Sequence, residues 1–171
     1  MRHGHVGVRS LRMRDASTWQ ELRAAHVDWL APWEATLPPG TQQPFVSHRA
    51  MVRAMLARAR DGQSMPFAVT WDGAMVGLLT VNGITLGSSR SANLGYWIAR
   101  THAGRGIIPA AVAMVCDHLF TVAGLHRIEI AIRPDNDRSV RVVEKLGFTK
   151  IGVAPSYLHI AGQWRDHVVY Q

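Results

Sequence analysis

Gly104-Arg105-Gly106 stands between a segment that reads as a strand, Ser91 to Ala99, and one that reads as a helix, Ile108 to Ala123. That order sets the unpaired N–H donors and the positive end of a helix directly behind two residues with no Cβ. An anion can approach such donors closely, and a pyrophosphate suits them; an ordinary glycine turn between strand and helix suits the same residues. Two familiar phosphate loops do not fit. A Walker A loop needs Gly-Lys-Ser/Thr after its glycines. A dinucleotide fingerprint needs a third glycine and a later acid in an N-terminal βαβ unit, whereas here Pro109 follows and the loop comes late in the chain. Further on, Glu129 lies on a strand from Arg127 to Arg133, on the face opposite Ile128, Ile130 and Ile132. A carboxylate there takes up a proton or pairs with a nearby arginine. Asn136 has the side chain to cap a short helix from Asp137 to Leu146, with Ser139 in its first turn. The nine histidines include no i, i+4 pair in the metalloprotease pattern, so no metal is expected. The one cysteine, Cys116, reads as helix packing.

Positioning these groups takes alternating strands and helices. Val6 to Met13 reads as a first strand; Asp15, Ser17 or Thr18 caps a helix to about Leu30, which Ala31-Pro32-Trp33-Glu34 breaks. Leu37-Pro38-Pro39-Gly40 is loop chemistry. A helix from about Ser47 to Arg60 turns Met51, Val52, Met55 and Leu56 inward. Pro66 to Trp71 and Ala74 to Asn82 are apolar runs joined by Asp72-Gly73, a hairpin signal because the tight turn needs positive φ. Gly95 inside its strand marks a bulge or a close backbone approach. Pro109 fits a first helical turn, and Ile108, Val112, Val115 and Leu119 form a buried stripe. Gly147 reads as the residue ending the short helix, before two last strands, Phe148 to Val153 and Trp164 to Tyr170. The expectation is a mixed α/β fold with helices covering the sheet.

The 171 residues suit one domain, 1–171, and 47% hydrophobic with 18% charged residues is a globular composition. A single cysteine excludes an internal disulfide and a cysteine-built structural zinc site. No apolar run nears the ~20 residues of a membrane span, and Met1 to Ser10 has no signal-peptide core. A cytoplasmic protein with no membrane partner is expected. Net charge is +7, and of 19 basic residues only Lys145 and Lys150 are lysines. Arginine suits phosphate, so the excess points to a polyanion, such as a nucleotide cofactor, the ribosome or another nucleic acid, or else to a solvated surface. The arginines are scattered and no helix-turn-helix, zinc-finger or RNP pattern occurs, so direct nucleic-acid readout is not expected.

Gly95-Tyr96-Trp97-Ile98, Gly104-Arg105-Gly106-Ile107, Pro134-Asp135-Asn136 with Ser139, Lys145-Leu146-Gly147-Phe148 and Trp164-Arg165-Asp166-His167 follow one another in a telling order. Together they resemble the GNAT superfamily of N-acetyltransferases over most of the chain, within the branch that acetylates the N-terminal alanine of ribosomal proteins. The resemblance implies a mixed, mostly antiparallel sheet of about seven strands, splayed in the middle, with helices on both faces.

It also implies acetyl-coenzyme A as cosubstrate, held in the wedge between Ser91–Ala99 and Arg127–Arg133. The pantetheine arm would pair with the backbone of Trp97, Ile98, Ala99 and Arg100. N–H groups of Ala103, Gly104, Arg105, Gly106, Ile107 and Ile108 would hold the pyrophosphate. Asn136 would contact pantetheine, and Arg138 or Lys145 the phosphates. Ser139 is the implied acid for the leaving thiolate and Glu129 the candidate base, with a water relay as the alternative. Trp33, Glu34 and Tyr157, the last expected in a loop between the final two strands, would line the acceptor mouth. Three positions depart from the pattern: Thr101 replaces a frequent Gln or Arg, Pro109 removes a donor, and Val143 stands where relatives carry a tyrosine that protonates the thiolate. The implied acceptor is a protein N-terminus, such as that of a ribosomal protein. Alternatives are a small amine (a polyamine or an antibiotic) and a non-catalytic acyl-coenzyme A-binding regulator. A homodimer is consistent with the family.

Overall fold

The computed structural model describes residues 1–41 and 46–171. Eight strands form one sheet: β1 (Arg2–His3), β2 (Val6–Ser10), β3 (Ser64–Trp71), β4 (Ala74–Thr85), β5 (Ser91–Ile98), β6 (Arg127–Ile132), β7 (Lys150–Ile160) and β8 (Gln163–Tyr170). Their order is β1-β2-β3-β4-β5-β6-β8-β7, antiparallel throughout except for β5 against β6. The eighth strand is β1, two residues folded back across Gly4 (φ +57°), too short to leave a periodic signal.

Alternate residues of the strands feed two cores. Phe67, Val69, Leu79 and Val81 pack with α4 (Ile107–Thr121) and Val143 of α5 (Asp137–Lys145) on one face. Ala68, Met75 and Leu78 pack with α1 (Ala16–Ala25) and α3 (His48–Arg60) on the other. Helices therefore cover both faces. The stripe Ile108, Val112, Val115 and Leu119 is buried as its spacing predicts, and Val52 is the fully buried residue of α3.

The local signals account for several joints. Asp72 and Gly73 turn the β3–β4 hairpin with φ of +47° and +85°, the Ser47 hydroxyl accepts from Ala50 N–H at 3.2 Å, and Gly147 ends α5 with φ +74°. Four expectations need correction. The first strand stops at Ser10, because Met13–Asp15 coil into a 3₁₀ turn around the Asp15 carboxylate, which accepts from Arg12 N–H at 2.7 Å. The first helix breaks at His26 (φ −130°, ψ 27°), and α2 is only Val27–Leu30. Gly95 sits in continuous β4–β5 register and a Cβ there would meet nothing within 4 Å; the close approach is at Gly77, where a Cβ would lie 2.3 Å from the Trp97 carbonyl. Finally, β7 runs on to Ile160 and turns at Ala161-Gly162, so Tyr157 belongs to a strand and not to a loop. The cause is a wide bulge between Ala154 and Leu158 that contains Pro155, where a missing N–H breaks no ladder bond. Ser156 takes φ +48° there and donates its N–H to Asp166 Oδ1 at 2.8 Å.

Candidate active site

β5 and β6 pair only through Ser91–Arg127, Ala92–Ile128 and Asn93–Glu129. Beyond that point β5 follows β4 to Ile98, whereas Ile130–Ile132 follow β8. The strands part, leaving a gap in the middle of the sheet. Backbone polarity alternates along a strand. Ala99 N–H donates to Val76 O at 2.8 Å, so the backbones of Trp97 and Ala99 face β4. Those of Tyr96 and Ile98 face the gap. Of the expected strand positions, Ile98 is thus the one presented there, and Tyr96 joins it.

The loop after β5 begins with a 3₁₀ turn, Arg100–His102, which uses the Ala103 N–H (3.2 Å to Arg100 O). Gly104 and Gly106 follow with φ of +77° and +74°, a region that favours glycine, and a Cβ at either would meet nothing within 4 Å. The first N–H groups of α4, on Ile107 and Ile108, have no intrahelical acceptor, and the buried side chains of both residues fix the helix end. Arg105 is exposed beside them. Together these residues leave open space in front of several aligned donors, and that arrangement fits an anion.

The gap's other wall begins at α5. Asn136 Oδ1 accepts from Ser139 N–H at 3.2 Å, so the predicted cap exists. The Ser139 carbonyl accepts from the Tyr96 hydroxyl at 3.4 Å. Both main-chain groups of Ser139 are engaged, whereas no hydrogen bond among the described residues uses its Oγ. Burial pushes the Tyr96 phenol up to about 12, which keeps it protonated. Arg138 lies with its guanidinium carbon 4.5 Å from the Trp29 ring centroid, and Arg100 approaches the same ring at 6.0 Å. Lys145 is exposed at the far end of α5, on the order of 10 Å along the helix from Ser139.

Glu129 occupies the last zipped register position, opposite Asn93, and accepts from Arg127 Nε at 2.7 Å. The structure therefore places it at the closed end of the gap, in an ion pair.

A segment from Trp29 to Thr36 crosses the open end. The Trp29 indole N–H donates to Ile98 O at 2.9 Å. Arg133, at the end of β6, donates to Pro32 O at 2.7 Å and lies 5.0 Å from the Trp33 ring centroid. Ala35 bridges to Ile160, and Thr36 N–H donates to His159 O at 2.8 Å. Within this strap, Glu34 Oε2 pairs with Arg23 at 2.5 Å, while Oε1 is buried with no hydrogen-bond partner. Tyr157 reaches the same region from β7, its ring 5.2 Å from His167, which is buried and bonded through Nδ1 to Arg165 O. Burial first, and Arg133 beside it, hold the His167 imidazole below its usual value. Trp33 thus lies against Arg133 and Tyr157 against His167, while Glu34 is held by Arg23. Sequence reasoning missed Trp29, Arg133 and His167; Trp29 had one available signal, its place one helical turn before Trp33.

A cleft of about 470 Å³ lies elsewhere, between α4, the start of β6 and Gln171, and is lined by Cys116, Asp117, Phe120, His126 and Phe148 among others. Burial pushes the Cys116 thiol up to about 11, which makes it a poor nucleophile. Among the described residues no group of three His, Cys, Asp or Glu side chains is arranged to hold a metal, and no helix is long and apolar enough to cross a membrane.

Residues 5–149 match the model of the acetyltransferase (GNAT) domain family. RimJ of Mycobacterium smegmatis, solved in complex with CoA-disulfide, superposes with a TM-score of 0.90 at 41% identity, over 96% of this chain and 80% of that one. The [ribosomal protein uS5]-alanine N-acetyltransferase of Escherichia coli is 29% identical over 164 residues, 95% of this chain and 84% of that protein. YjcK of Bacillus subtilis, a probable N-acetyltransferase, is 40% identical over 98 residues, and this match spans 57% of the chain and about half (54%) of the relative.

Proposed function

The chain belongs to the GNAT acetyltransferase family, and from that footing we propose that it acetylates the N-terminal α-amine of a protein, a ribosomal protein foremost. Acetyl-coenzyme A, the cosubstrate, supplies an activated acetyl thioester. N–H groups of Gly104, Arg105, Gly106, Ile107 and Ile108 receive its pyrophosphate, with Arg100, Arg105, Arg138 and Lys145 adding positive charge. Asn136 and the gap-facing backbone of Tyr96 and Ile98 hold the extended arm, as an added strand would be held. The Ile98 N–H faces the gap and can steady charge on a carbonyl oxygen. Ser139 Oγ returns a proton to the sulfur, and a water relay takes the amine's proton, since Glu129 is held by Arg127 at the closed end of the gap. Demand on both is modest, since a free α-amine titrates near ~7.7–8.0 and a thiol near ~8.5.

The observation that supports the acceptor class is the unpartnered carboxylate oxygen, Glu34 Oε1, in a mouth whose nearby charges are already paired, Arg23 with Glu34 Oε2 and Arg133 with Asp135. One free oxygen can receive one ammonium, and the neighbouring acid, Asp135, is already taken by Arg133. That supports a protein N-terminus over a polyamine, and the RimJ and uS5-alanine enzyme likenesses point the same way. The test is mass spectrometry of products from an alanine-initiated ribosomal peptide, the same peptide with a blocked N-terminus and an internal lysine, and spermidine. Acetylation of the first alone is expected; preferential acetylation of spermidine would overturn the assignment.

A further inference from the structure

We propose that the outer flank of α3, together with the turn at Arg12–Arg14, is a contact surface for the phosphate backbone of RNA.

α3 runs from His48 to Arg60 without one acidic residue. Turns of 100° per residue place Arg49, Arg53 and Arg60 on one stripe, within about 40° of each other around the axis and spread along ~16 Å of it. All three are exposed. Arg14 lines the same shallow cleft as Arg49, and exposed Arg12 precedes it on the turn. Two acids border it: Asp61, the exposed residue after Arg60, turned about 100° from the stripe, and Asp15, which is buried and already committed to both Nη atoms of Arg9 and to Arg12 N–H. None of the ion pairs among the described residues includes an arginine of this surface. Five guanidinium groups therefore face solvent together, in a chain whose net charge is only +7.

The chemistry selects the partner. Guanidinium forks bind phosphate in two-pronged fashion. A protein interface would need an apolar centre, and a lipid surface an apolar face; α3 exposes no large apolar side chain. A linear stripe without acids instead suits a regularly charged backbone, contacted without reading bases. α1, which α3 packs against, leads into the strap. A protein bound next to this RNA would present its N-terminus to the same face. The choice of RNA over DNA rests on the ribosomal reading above; the patch itself does not.

The experiment measures anisotropy of a labelled 20-nucleotide RNA hairpin with the full chain across a potassium chloride series. Each phosphate contact adds ~0.7–0.9 to the slope of log affinity against log salt, so five contacts predict a slope of about −4. In R49Q/R53Q/R60Q the slope should flatten by about 2 to 3, with peptide acetylation unchanged, which also reports that the variant is folded. Saturating acetyl-coenzyme A should leave the RNA bound. An unchanged slope in the triple variant, or displacement by acetyl-coenzyme A, overturns the surface. Tighter patch-dependent binding of duplex DNA, phosphatidylglycerol vesicles or polyglutamate overturns RNA as its occupant. Loss of peptide acetylation by the wild type would defeat the acceptor reading while leaving hairpin binding intact.

Discussion

Substituting Gly106 by alanine separates backbone strain from ligand contact. The residue has φ +74° and ψ 6° at the cap of α4, and its Cβ would meet no protein atom within 4 Å. The folded protein therefore bears only the left-handed backbone penalty, ~1–2 kcal/mol. At 2–4 °C per kcal/mol for a chain of this size, the melting temperature should fall by about 2–8 °C. The open space is also where a pyrophosphate would approach the Ile107 and Ile108 N–H groups. A methyl group there lengthens or removes a charge-assisted hydrogen bond, ~1.5–3 kcal/mol, so acetyl-coenzyme A should bind about 10- to 100-fold more weakly. Gly147 supplies the control, since it has the same φ of +74° and the same open surroundings just past the C-terminus of a different helix, α5. Gly147→Ala should show the thermal shift with unchanged affinity. Calorimetric titration and thermal melts of the two variants make the comparison. Wild-type affinity in Gly106→Ala, or equal weakening in Gly147→Ala, would refute the cradle.

Three further outcomes follow from named contacts. Trp29→Phe keeps the ring beside Arg138 but removes the bond to Ile98 O, ~1 kcal/mol. It should lower kcat/KM for the acceptor peptide about fivefold in steady-state kinetics, and no change would dismiss Trp29 as a pin for the strap. Ser139→Ala should reduce kcat roughly tenfold or more, at the low end for general acids because a thiolate leaves readily, with acetyl-coenzyme A affinity preserved; unchanged kcat retires Ser139 as the acid. Burial raises the Asp15 carboxyl, but the Arg9 and Arg12 hydrogen bonds outweigh it and hold it below its ordinary value. Its stabilisation is therefore complete above the unfolded value of ~3.9 and lost as pH falls through the lower folded one. Asp15→Asn should cost about 1.5–3 kcal/mol at pH 7 and flatten the acid limb of denaturant-measured stability; an unaltered limb would show that another group sets it.

The two halves of this site are written into the chain differently. The donor half is nearly local: Gly104 and Gly106 need positive φ where they stand, Asn136 caps the turn that holds Ser139, and Pro109 falls where its missing donor breaks no helical bond. Each was readable because the interaction spans a few residues. Which backbone groups face the gap was not, since that depends on register: a shift of one position would exchange Trp97 and Ala99 for Tyr96 and Ile98. The acceptor half is almost wholly non-local. Trp29 meets Ile98 across 69 positions, Arg133 meets Pro32 across 101, and Thr36 meets His159 across 123. No periodicity encodes such meetings. β7 eluded pattern for a related reason, because an edge strand exposed along most of its length need not alternate. The division has a functional consequence. Residues 33–36 can be replaced with Trp29 retained, because Trp29 is what ties the strap to the cosubstrate side, through its N–H to Ile98 O and its ring beside Arg100 and Arg138. A change of acceptor is therefore mechanically separable from acetyl-coenzyme A binding, and exchanging residues 33–36 should move the first while sparing the second.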